Sequence, residues 1–572
     1  MKRTEIVWVS TYLLIKLALK STIMKNSIAI LSVLLLNSFS SHSQAQINLN
    51  FNQTNATVNT NGVLFYDTIN QTAGYEVPKN LGNHAIYSSS FWFGGEDVNG
   101  QLKLAAQKYH TDSDFSTGPL STFSGGLNNG VPYGDAQTNA ASIALSNKIF
   151  TMDKSTIQNF ITWWNCENGI TPQSQCNNVV APSNNEMQQI LNWPAHGDVA
   201  LAQDYNMAPF YDNPNGPEGA NGKYDPLIDG DYPCVPGHSN AFILFNDKGG
   251  VHSSGGDPIG LEFHMMVYQY ASNDFLDNTT FVNLKVINRS TQTLSNFKVA
   301  NFTDPMIGDY SDDYVGSNPS KNMVYAYNSD NNDAEYGVDP PAIGVVLLNA
   351  PMSVAGVMNN QSGIPAMQTP NLATEYWGYM NGEWGNSGLP FTDGGNGYNG
   401  TIPTNYMYDD INNWSEINEG QTPGDRQMFL ASDQGTFVPG GVKEYDYAFI
   451  YARLGDHLQN VDSLFSIADK VQSFYDGQSS TCPHIFDPTL GTDKVDDQIN
   501  NISLYPNPAQ DQFKIAIEGA FDVEIYSIAG QLIYQANSVQ PQQNIATPNH
   551  SGIYFVKVRQ NGQTTTLKMI IE

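Results

Sequence analysis

Closely spaced acidic and amide side chains make residues 210–233 (FYDNPNGPEGANGKYDPLIDGDYP) a candidate metal-binding loop. Calcium takes about six to eight oxygen ligands from a bendable loop. Glycines separate the candidate ligands, which are Asp212, Asn215, Asn221, Asp225, Asp229 and Asp231. The insertion PEGA at residues 217–220 departs from strict EF-hand spacing. The alternative is a connection rich in Asx turns, in which these side chains bond their own backbone.

A second acidic loop, residues 304–313, offers the carboxylates of Asp304, Asp309, Asp312 and Asp313. Carboxylates this close repel one another unless water or a cation screens them. We therefore expect calcium as a structural cofactor of both loops. The alternative for the second loop is again a set of ordinary turns.

A possible catalytic group lies between the two loops. Glu262 and His264 are two residues apart in an apolar run, so a β-strand would place them on one face, and His238 and His252 precede them in a glycine-rich region. Such residues could hold a metal ion or form an acid–base pair. A strand histidine is more often a structural residue. The sequence contains no hydrolase elbow, zinc-protease helix, phosphate-binding loop or dinucleotide fingerprint, so no motif indicates an enzyme.

Period-two apolar patterns predict that β-strands position these residues. Residues 85–95 are strand-like, and Asn99-Gly100 after them indicates a hairpin turn. Further strands are expected at residues 241–247, 260–272, 279–290, 295–304, 322–330 and 442–454. Their length and spacing predict a mainly β fold, with a large body that is a two-sheet β-sandwich or jelly roll.

A few short helices are predicted between the strands. Residues 153–164 carry apolar side chains at helical spacing, and Asp153 or Ser155 could cap this helix. Residues 183–192 form a second short helix. Residues 463–476 form an amphipathic helix whose apolar face is expected to pack on the core.

Composition indicates an extracellular β-protein. Asp and Glu number 55 against 25 Lys and Arg, which gives a net charge of −30. Residues 1–45 contain five basic residues and one acidic residue, so without them the charge is −30 − 4 = −34. Such a surface repels nucleic acid and anionic lipid and attracts divalent cations. Abundant amide and aromatic side chains fit turn-rich sheets and would also suit contact with sugars.

The chain has four cysteines, and an even count in an exported protein favours disulfides. Cys166 and Cys176 bracket a loop rich in turn-forming residues, so we predict that they pair. The pairing of Cys234 and Cys482 stays open. No Cys-x-x-Cys pair exists, so a cysteine zinc site is not expected.

The N-terminal 45 residues have the features of a leader. Met24-Lys25 begins a basic segment, residues 28–36 are apolar, and small residues at 43–45 predict cleavage after Ala45. We expect Met24 to be the true start, with a longer leader as the alternative. No later segment reaches the roughly 20 apolar residues of a membrane-spanning helix.

Residues 502–572 form a predicted separate domain behind a polar linker, residues 487–501. Three blocks, LYPNPAQDQFKIAI, VEIYSIAGQLIY and SGIYFVKVRQNGQTTTLKMIIE, alternate apolar and polar side chains between turns, which predicts a small immunoglobulin-like β-sandwich. In order and spacing, these blocks resemble the type A C-terminal sorting domain of Bacteroidetes cargo of the type IX secretion system. The resemblance implies a protein secreted or held on the outer cell surface, which passes through the periplasm and binds the secretion machinery with this domain.

The body, residues 46–486, resembles an uncharacterised group of Bacteroidetes type IX cargo proteins in three blocks, at residues 193–198, 279–314 and 423–441. This resemblance implies an architecture and a secretion route but no reaction.

Two functions therefore remain open for the body. The favoured hypothesis is a non-enzymatic structural or adhesive protein that binds a glycan or another surface partner, with calcium-stabilised loops. The alternative is a secreted polysaccharide hydrolase with an Asp/Glu acid–base pair. The positions of four tryptophans relative to carboxylates would distinguish these hypotheses, namely Trp92, Trp377, Trp384 and Trp414.

Overall fold

The structure is a computed structural model that describes residues 46–478, 503–517, 519–527, 532–548, 550–560 and 563–571. The chain divides into two compact units between Ile485 and Phe486. The predicted leader, Cys482 and the predicted linker lie outside the described residues. Among the described residues, no helix is long and apolar enough to cross a membrane.

Short and long strands make up most of the first unit. In chain order they are β1 (Gln46–Leu49), β2 (Asn55–Asn59), β3 (Tyr66–Asp67), β4 (Thr72–Ala73), β5 (Tyr75–Glu76), β6 (His84–Glu96), β7 (Leu102–Ala106), β8 (Ser116–Thr117), β9 (Gly126–Asn128), β10 (Val131–Tyr133), β11 (Phe150–Asp153), β12 (Phe210–Tyr211), β13 (Tyr232–Pro233), β14 (Ser239–Asn246), β15 (Leu261–Gln269), β16 (Thr279–Asn288), β17 (Ser295–Pro305), β18 (Asp313–Asn318), β19 (Met323–Asn328), β20 (Asn332–Asp333), β21 (Gly337–Val338), β22 (Ala342–Leu347), β23 (Val354–Asn359), β24 (Arg426–Asp433) and β25 (Val442–Ala452).

Two large antiparallel sheets face each other in this unit. The first has the order β1-β2-β5-β6-β17-β24-β23, with β7 paired to β6, and the second has the order β11-β14-β15-β16-β25-β22-β19-β18, with β8 paired to β14. Rings from the two sheets meet in the core: Phe93 lies 4.6 Å from Phe263, and Phe91 lies 5.4 Å from Tyr447, between ring centroids. The predicted mainly β sandwich body is confirmed.

Six α-helices lie within the described residues, namely α1 (Ala140–Ser146), α2 (Lys154–Glu167), α3 (Asn184–Leu191), α4 (Pro226–Asp229), α5 (Ala373–Met380) and α6 (His457–Asp476). The helices α2, α3 and α6 correspond to the three predicted ones. Asp153 occupies the N-cap position of α2, but its side chain makes no capping hydrogen bond. Helix α6 begins earlier than predicted because Asp456 caps it, with its Oδ1 accepting from the Gln459 N–H at 2.8 Å.

Helices cover the outer faces of the sheets, so the central strands are buried on both sides. In β6, Phe93 faces the opposite sheet, whereas its neighbour Trp92 faces outward and meets Tyr376 of α5, with ring centroids 4.9 Å apart. Helix α6 buries Leu464 and Val471 and packs on β22 and β25. This double burial explains why the central strands have nearly continuous apolar runs.

Two local predictions are confirmed. The β6–β7 hairpin turns at Asn99-Gly100, where Gly100 has a φ of +74° and the Asp97 carboxylate accepts from the Asn99 N–H at 2.8 Å. Cys166 and Cys176 form a disulfide. Cys234 is also disulfide-bonded, but because Cys482 lies outside the described residues, its pairing with Cys234 is not assigned.

The second unit is a small all-β domain. Its strands are β26 (Ser503–Tyr505), β27 (Gln512–Ala516), β28 (Phe521–Ser527), β29 (Leu532–Val539), β30 (Ile545–Ala546), β31 (Gly552–Gln560) and β32 (Gln563–Ile571). They form a sheet of order β26-β27-β30 and one of order β29-β28-β31-β32. The alternating residues Phe513, Ile515, Val523 and Ile525 share one buried core. The predicted β fold of this domain is confirmed.

Candidate functional site

Three carboxylates of the first acidic loop converge in the structure. One carboxylate oxygen from each of Glu218, Asp225 and Asp229 lies within 4.8 Å of the other two. Asp229 ends the short helix α4 and is fully buried. Its Oδ1 accepts from the Glu218 N–H at 2.7 Å, and the Asn221 Nδ2 donates to its Oδ2 at 3.3 Å. Oxygen ligands in this arrangement could hold a divalent cation.

The remaining residues of this loop bond mainly to backbone. Asp212 accepts from the Gly222 N–H at 2.6 Å, and the buried Asp231 accepts from the Asn213 N–H at 2.9 Å and the Asp225 N–H at 2.7 Å. Asn215 takes part in the loop's hydrogen bonds through its backbone N–H, which donates to Asn213 Oδ1 at 3.1 Å. Burial raises the pKa of Asp231, and the neighbouring carboxylates of Asp212 and Asp229 raise it further. The loop therefore combines Asx turns with a carboxylate cluster.

The second acidic loop also concentrates negative charge. Asp313 is 1% exposed, its Oδ2 accepts from the Ile307 N–H at 3.0 Å, and its Oδ1 has no hydrogen-bond partner among the described residues. Asp333 joins this loop, since its Oδ2 accepts from the Asp309 N–H at 2.9 Å. Burial raises the pKa of Asp312 to about 6, with further increases from Asp333 and Asp309. Burial also raises the pKa of Asp313, and the same carboxylates add to the effect.

Asp304 faces a different set of side chains from the other three residues of its loop. The Tyr109 hydroxyl donates to its Oδ2 at 2.8 Å, and the Gln427 Nε2 donates to its Oδ1 at 3.3 Å and to Asp425 Oδ1 at 2.6 Å. Burial raises the pKa of Asp304 to about 7, the Asp425 charge raises it as well, and Lys108 opposes the rise. Asp304 lies on β17, and because β17 pairs with β24, Asp304 is next to Gln427 of β24. It is therefore not part of the second acidic loop's carboxylate group.

The Glu262–His264 pair belongs to a buried ion-pair network. His264 Nε2 lies 2.9 Å from Glu262 Oε1, and Arg289 donates to the same oxygen from Nη2 at 2.6 Å. Arg289 Nη1 also lies 2.8 Å from Asp204 Oδ2. Burial alone would raise the pKa of Glu262, but the charges and hydrogen bonds of Arg289 and His264 together lower it to about 2. A carboxylate held this firmly as an anion, at a fully buried position, supports a structural role.

The two other candidate histidines have partners of their own. His252 Nε2 lies 2.7 Å from the Asp247 carbonyl oxygen, and His238 Nδ1 accepts from the Ala271 N–H at 3.0 Å. Among the described residues, neither joins His264 in a group of three possible metal ligands. A metal group made by these histidines is therefore not assembled among the described residues.

Three of the four tryptophans are in the core. Trp92 and Trp384 are fully buried and Trp414 is 6% exposed. Trp377 on α5 is only partly buried and lines an open groove of 670 Å³. Its ring packs over the backbone of β6 at Gly94, where a Cβ atom would come within 2.9 Å of the ring. The groove is thus a candidate ligand site with an aromatic wall.

Polar and charged side chains line the rest of this Trp377 groove. They are Glu96, Asn296, Lys298, Thr374, Asn381, Glu383, Asn386 and Asp433. The Lys298 Nζ lies 2.9 Å from Asp433 Oδ2, and Asn296 Nδ2 donates to Glu96 Oε2 at 2.8 Å. The hydrogen bond from Lys298 lowers the pKa of Asp433. Sequence reasoning anticipated Trp377 but missed the charged residues, which come from four separate segments.

The comparisons identify the second unit and leave the body without an identified family. The family model for the secretion system C-terminal sorting domain matches residues 503–572. No curated protein matches the sequence. The second unit is thus a sorting domain.

Three solved structures are distantly similar to this chain. A polysaccharide lyase is 8% identical with a TM-score of 0.18, covering 54% of this chain and 34% of the lyase. A copper-containing benzylamine oxidase from Hansenula polymorpha is 9% identical with a TM-score of 0.25, covering 71% of this chain and 60% of the oxidase. PorZ, a surface component of the type IX secretion system of Porphyromonas gingivalis, is 10% identical with a TM-score of 0.12, covering 91% of this chain and 74% of PorZ.

The chain spans about a third of the length of the lyase. At these TM-scores the neighbours support no functional conclusion for the body. The sorting domain does support one for the whole chain: it is a cargo protein of the type IX secretion system, secreted or held at the cell surface.

Proposed function

We propose that this cargo protein belongs to a Bacteroidetes species, enters the periplasm through a signal peptide that ends at Ala45, and binds carbohydrate outside the cell. The main observation in support of carbohydrate binding is the Trp377 groove. An aromatic face offers apolar contact to the C–H face of a sugar ring, and the surrounding amides and carboxylates can bond its hydroxyls. A volume of 670 Å³ lies within the range of about 300–1,000 Å³ that is usual for ligand sites.

The groove has rigid walls, which favours selective binding. The Trp377 ring packs against β6 at Gly94, and the Lys298–Asp433 pair joins β17 to β24. Side chains held in place before the ligand arrives lose little conformational entropy on binding. Such a preformed groove fits an adhesive role of the body toward a glycan or a glycan-coated surface.

Calcium would serve this function by ordering the loops of the body. In the first loop the proposed ligands are Asp225 and Asp229, with Glu218 and Asn221 beside them. In the second loop they are Asp309, Asp312 and Asp313, joined by Asp333. The buried, unpaired Oδ1 of Asp313 supports the second site, since a buried carboxylate oxygen without a partner is costly.

Binding of the secreted protein to a panel of soluble and insoluble polysaccharides tests the proposed function. For the polymer bound best, Trp377→Ala should weaken binding by about tenfold or more, as expected when a buried aromatic contact is removed. Trp163→Ala is the matched control, because Trp163 is also partly buried but lies on α2, outside the groove. Equal affinities of the two variants would refute the groove as the carbohydrate site.

A polysaccharide hydrolase is the second candidate, favoured by the three carboxylates of Glu96, Glu383 and Asp433 in the groove. Asp433 is a poor proton donor because Lys298 lowers its pKa, so Glu96 or Glu383 would have to be the acid, and Asp433 could be the ionised partner. Release of reducing ends from the bound polymer, abolished by Glu383→Gln, would establish this alternative. Binding without release supports the adhesive role.

A further inference from the structure

A second cavity, separate from the Trp377 groove, lies where β23 ends and β24 begins. Its volume is 370 Å³, and it is partly enclosed. The lining combines one ion pair, several amides and hydroxyls, and apolar side chains. Asn359, the last residue of β23, pairs with Arg426, the first residue of β24, so the sheet itself fixes one wall.

The charged groups of this cavity neutralise each other. Arg426 Nε donates to Glu416 Oε1 at 2.8 Å, and the other Glu416 oxygen accepts from the Val315 N–H at 2.8 Å. Both side chains are about 2% exposed. Among the described residues, Arg426 and Glu416 are the only charged ones in the lining. The cavity therefore gives little electrostatic attraction to an ion of either sign.

Uncommitted polar groups surround this ion pair. The side chains of Gln361, Gln421 and Thr422 line the cavity and make no hydrogen bond to any described residue. Asn359 and Asn396 also line the cavity, but their Oδ1 atoms already accept from the backbone N–H groups of Gln361 and Tyr398. An amide offers both a donor and an acceptor. A hydroxyl group also donates and accepts, so polyhydroxylated molecules match this set better than ligands with only one kind of group.

The inner side of the cavity is apolar. Met407 and Trp384 are almost completely buried, and the Trp384 Nε1 already donates to the Gly397 carbonyl oxygen at 2.8 Å. Carbon and sulfur atoms therefore lie directly behind this part of the lining, although these two side chains themselves expose almost no surface. A ligand with hydroxyls on its edge and C–H groups on its face fits both parts of the lining.

We propose that this cavity binds a single unit of a neutral sugar or a related polyol. Its volume of 370 Å³ is near the lower end of the range of about 300–1,000 Å³ for ligand sites, which suits one ring better than a chain. The inference stands on residues that the Trp377 groove does not share, so it holds whether or not the groove binds a polymer.

Isothermal titration of the full chain with free glucose, galactose, xylose, N-acetylglucosamine and myo-inositol tests this site, with galacturonate and glucosamine as charged comparisons. We expect at least one neutral compound to bind and to be preferred over its charged relative. Gln421→Ala should weaken that binding by about tenfold, as expected for lost hydrogen bonds. Gln158→Ala, an exposed position on α2, should leave the affinity unchanged.

Thr422→Trp gives a second, independent test, because residue 422 is exposed at the cavity and a larger side chain there should block it without disturbing the buried ion pair. Trp377→Ala should not change the affinity for the free sugar, which separates this site from the groove. Absence of binding by every neutral compound up to about 10 mM would overturn the proposal. Unchanged affinity in Thr422→Trp would overturn it as well.

Discussion

The substitution Asp304→Asn should stabilise the body at neutral and alkaline pH. The folded pKa of Asp304 is about 7, against its ordinary value of 3.8. A raised carboxyl pKa means that the folded state binds the proton more tightly, so stability is highest below the ordinary pKa and falls as the pH rises to about 7. At about 1.4 kcal/mol per pKa unit, ionising Asp304 costs the folded state up to about 4 kcal/mol.

Asparagine removes this cost and keeps the local contacts. Its Oδ1 can accept from Gln427, and its Nδ2 can donate to the hydroxyl oxygen of Tyr109, which replaces the bond that Tyr109 donates to the carboxylate. We therefore expect the variant to exceed the wild type by about 3 to 4 kcal/mol at pH 8.5 and to differ from it by less than about 1 kcal/mol at pH 3.5. Asp425→Asn should also stabilise the body at the higher pH, because it removes the charge that raises the Asp304 pKa and the ionisation of a carboxyl whose own pKa is raised by burial.

Urea unfolding followed by tryptophan fluorescence measures this effect in the body alone, since every tryptophan after residue 45 lies between Trp92 and Trp414. Asp462→Asn on the exposed side of α6 is the control and should show no such pH-dependent difference. A variant that is equally stable or less stable than the wild type at pH 8.5 would refute the assigned environment of Asp304.

Three further predictions follow from the ion-pair network and the sorting domain. Glu262→Gln should destabilise the body by about 3 kcal/mol at pH 7. Because the pKa of Glu262 is lowered to about 2, its contribution to the stability of the folded state is lost as the pH falls from about 4.5 toward 2. In urea unfolding, the free energies of unfolding of the wild type and Glu262→Gln should therefore become equal as the pH approaches 2. Deleting residues 504–572 should leave the protein in the periplasm, and its efficient recovery from the medium in cell fractionation would contradict this. If the sorting domain is cleaved after export, mass spectrometry should place the mature C-terminus within residues 487–501, whereas recovery of Glu572 on the extracellular form would argue against cleavage.

Local patterns in the sequence were sufficient for the fold class and for many of the elements, but no prediction covered α5 or the strands β22, β23 and β24. The alternating residues of the sorting domain and the long apolar runs of β14–β17 predict strands because side-chain direction depends only on neighbouring residues. The Asn99-Gly100 turn is also predictable from neighbouring residues, since the positive φ that the turn requires depends only on the residue types at the turn. The absence of a cap hydrogen bond at Asp153 depends on side-chain geometry, which sequence pattern does not determine.

The composition of the sites could not be predicted in the same way. Asp333 reaches the second acidic loop from a hairpin 24 residues beyond Asp309, and nothing in either segment specifies the other. Glu218 lies in the insertion that broke the expected calcium spacing, yet it is one of the three converging carboxylates. The Trp377 groove is assembled by strand pairing across the first sheet. The sequence shows which residue types could be ligands, but contacts between distant segments determine which of these residues lie together in a site.

We expect the stability of the body to depend on calcium, because the chain has too few basic residues to pair with its carboxylates. With 55 acidic and 25 basic side chains, not every carboxylate can find a Lys or Arg. Among the described residues, none of the carboxylates of the two acidic loops forms an ion pair with a basic side chain. A bound cation would supply the missing charge and stabilise the folded body by about 2.7 kcal/mol at a hundredfold excess over its Kd.

Chelation should therefore lower the Tm of the body, and calcium should restore it better than magnesium, which demands rigid octahedral geometry. Asp229→Ala and Asp309→Ala should each remove part of this response, whereas Asp462→Ala should leave it intact. General screening of a highly negative surface would act differently, because sodium at matched ionic strength would then give the same rescue. If calorimetry shows no calcium-specific shift in Tm, both loops are hydrogen-bonded turns without a bound cation. Water and protons alone would then relieve the repulsion between their carboxylates.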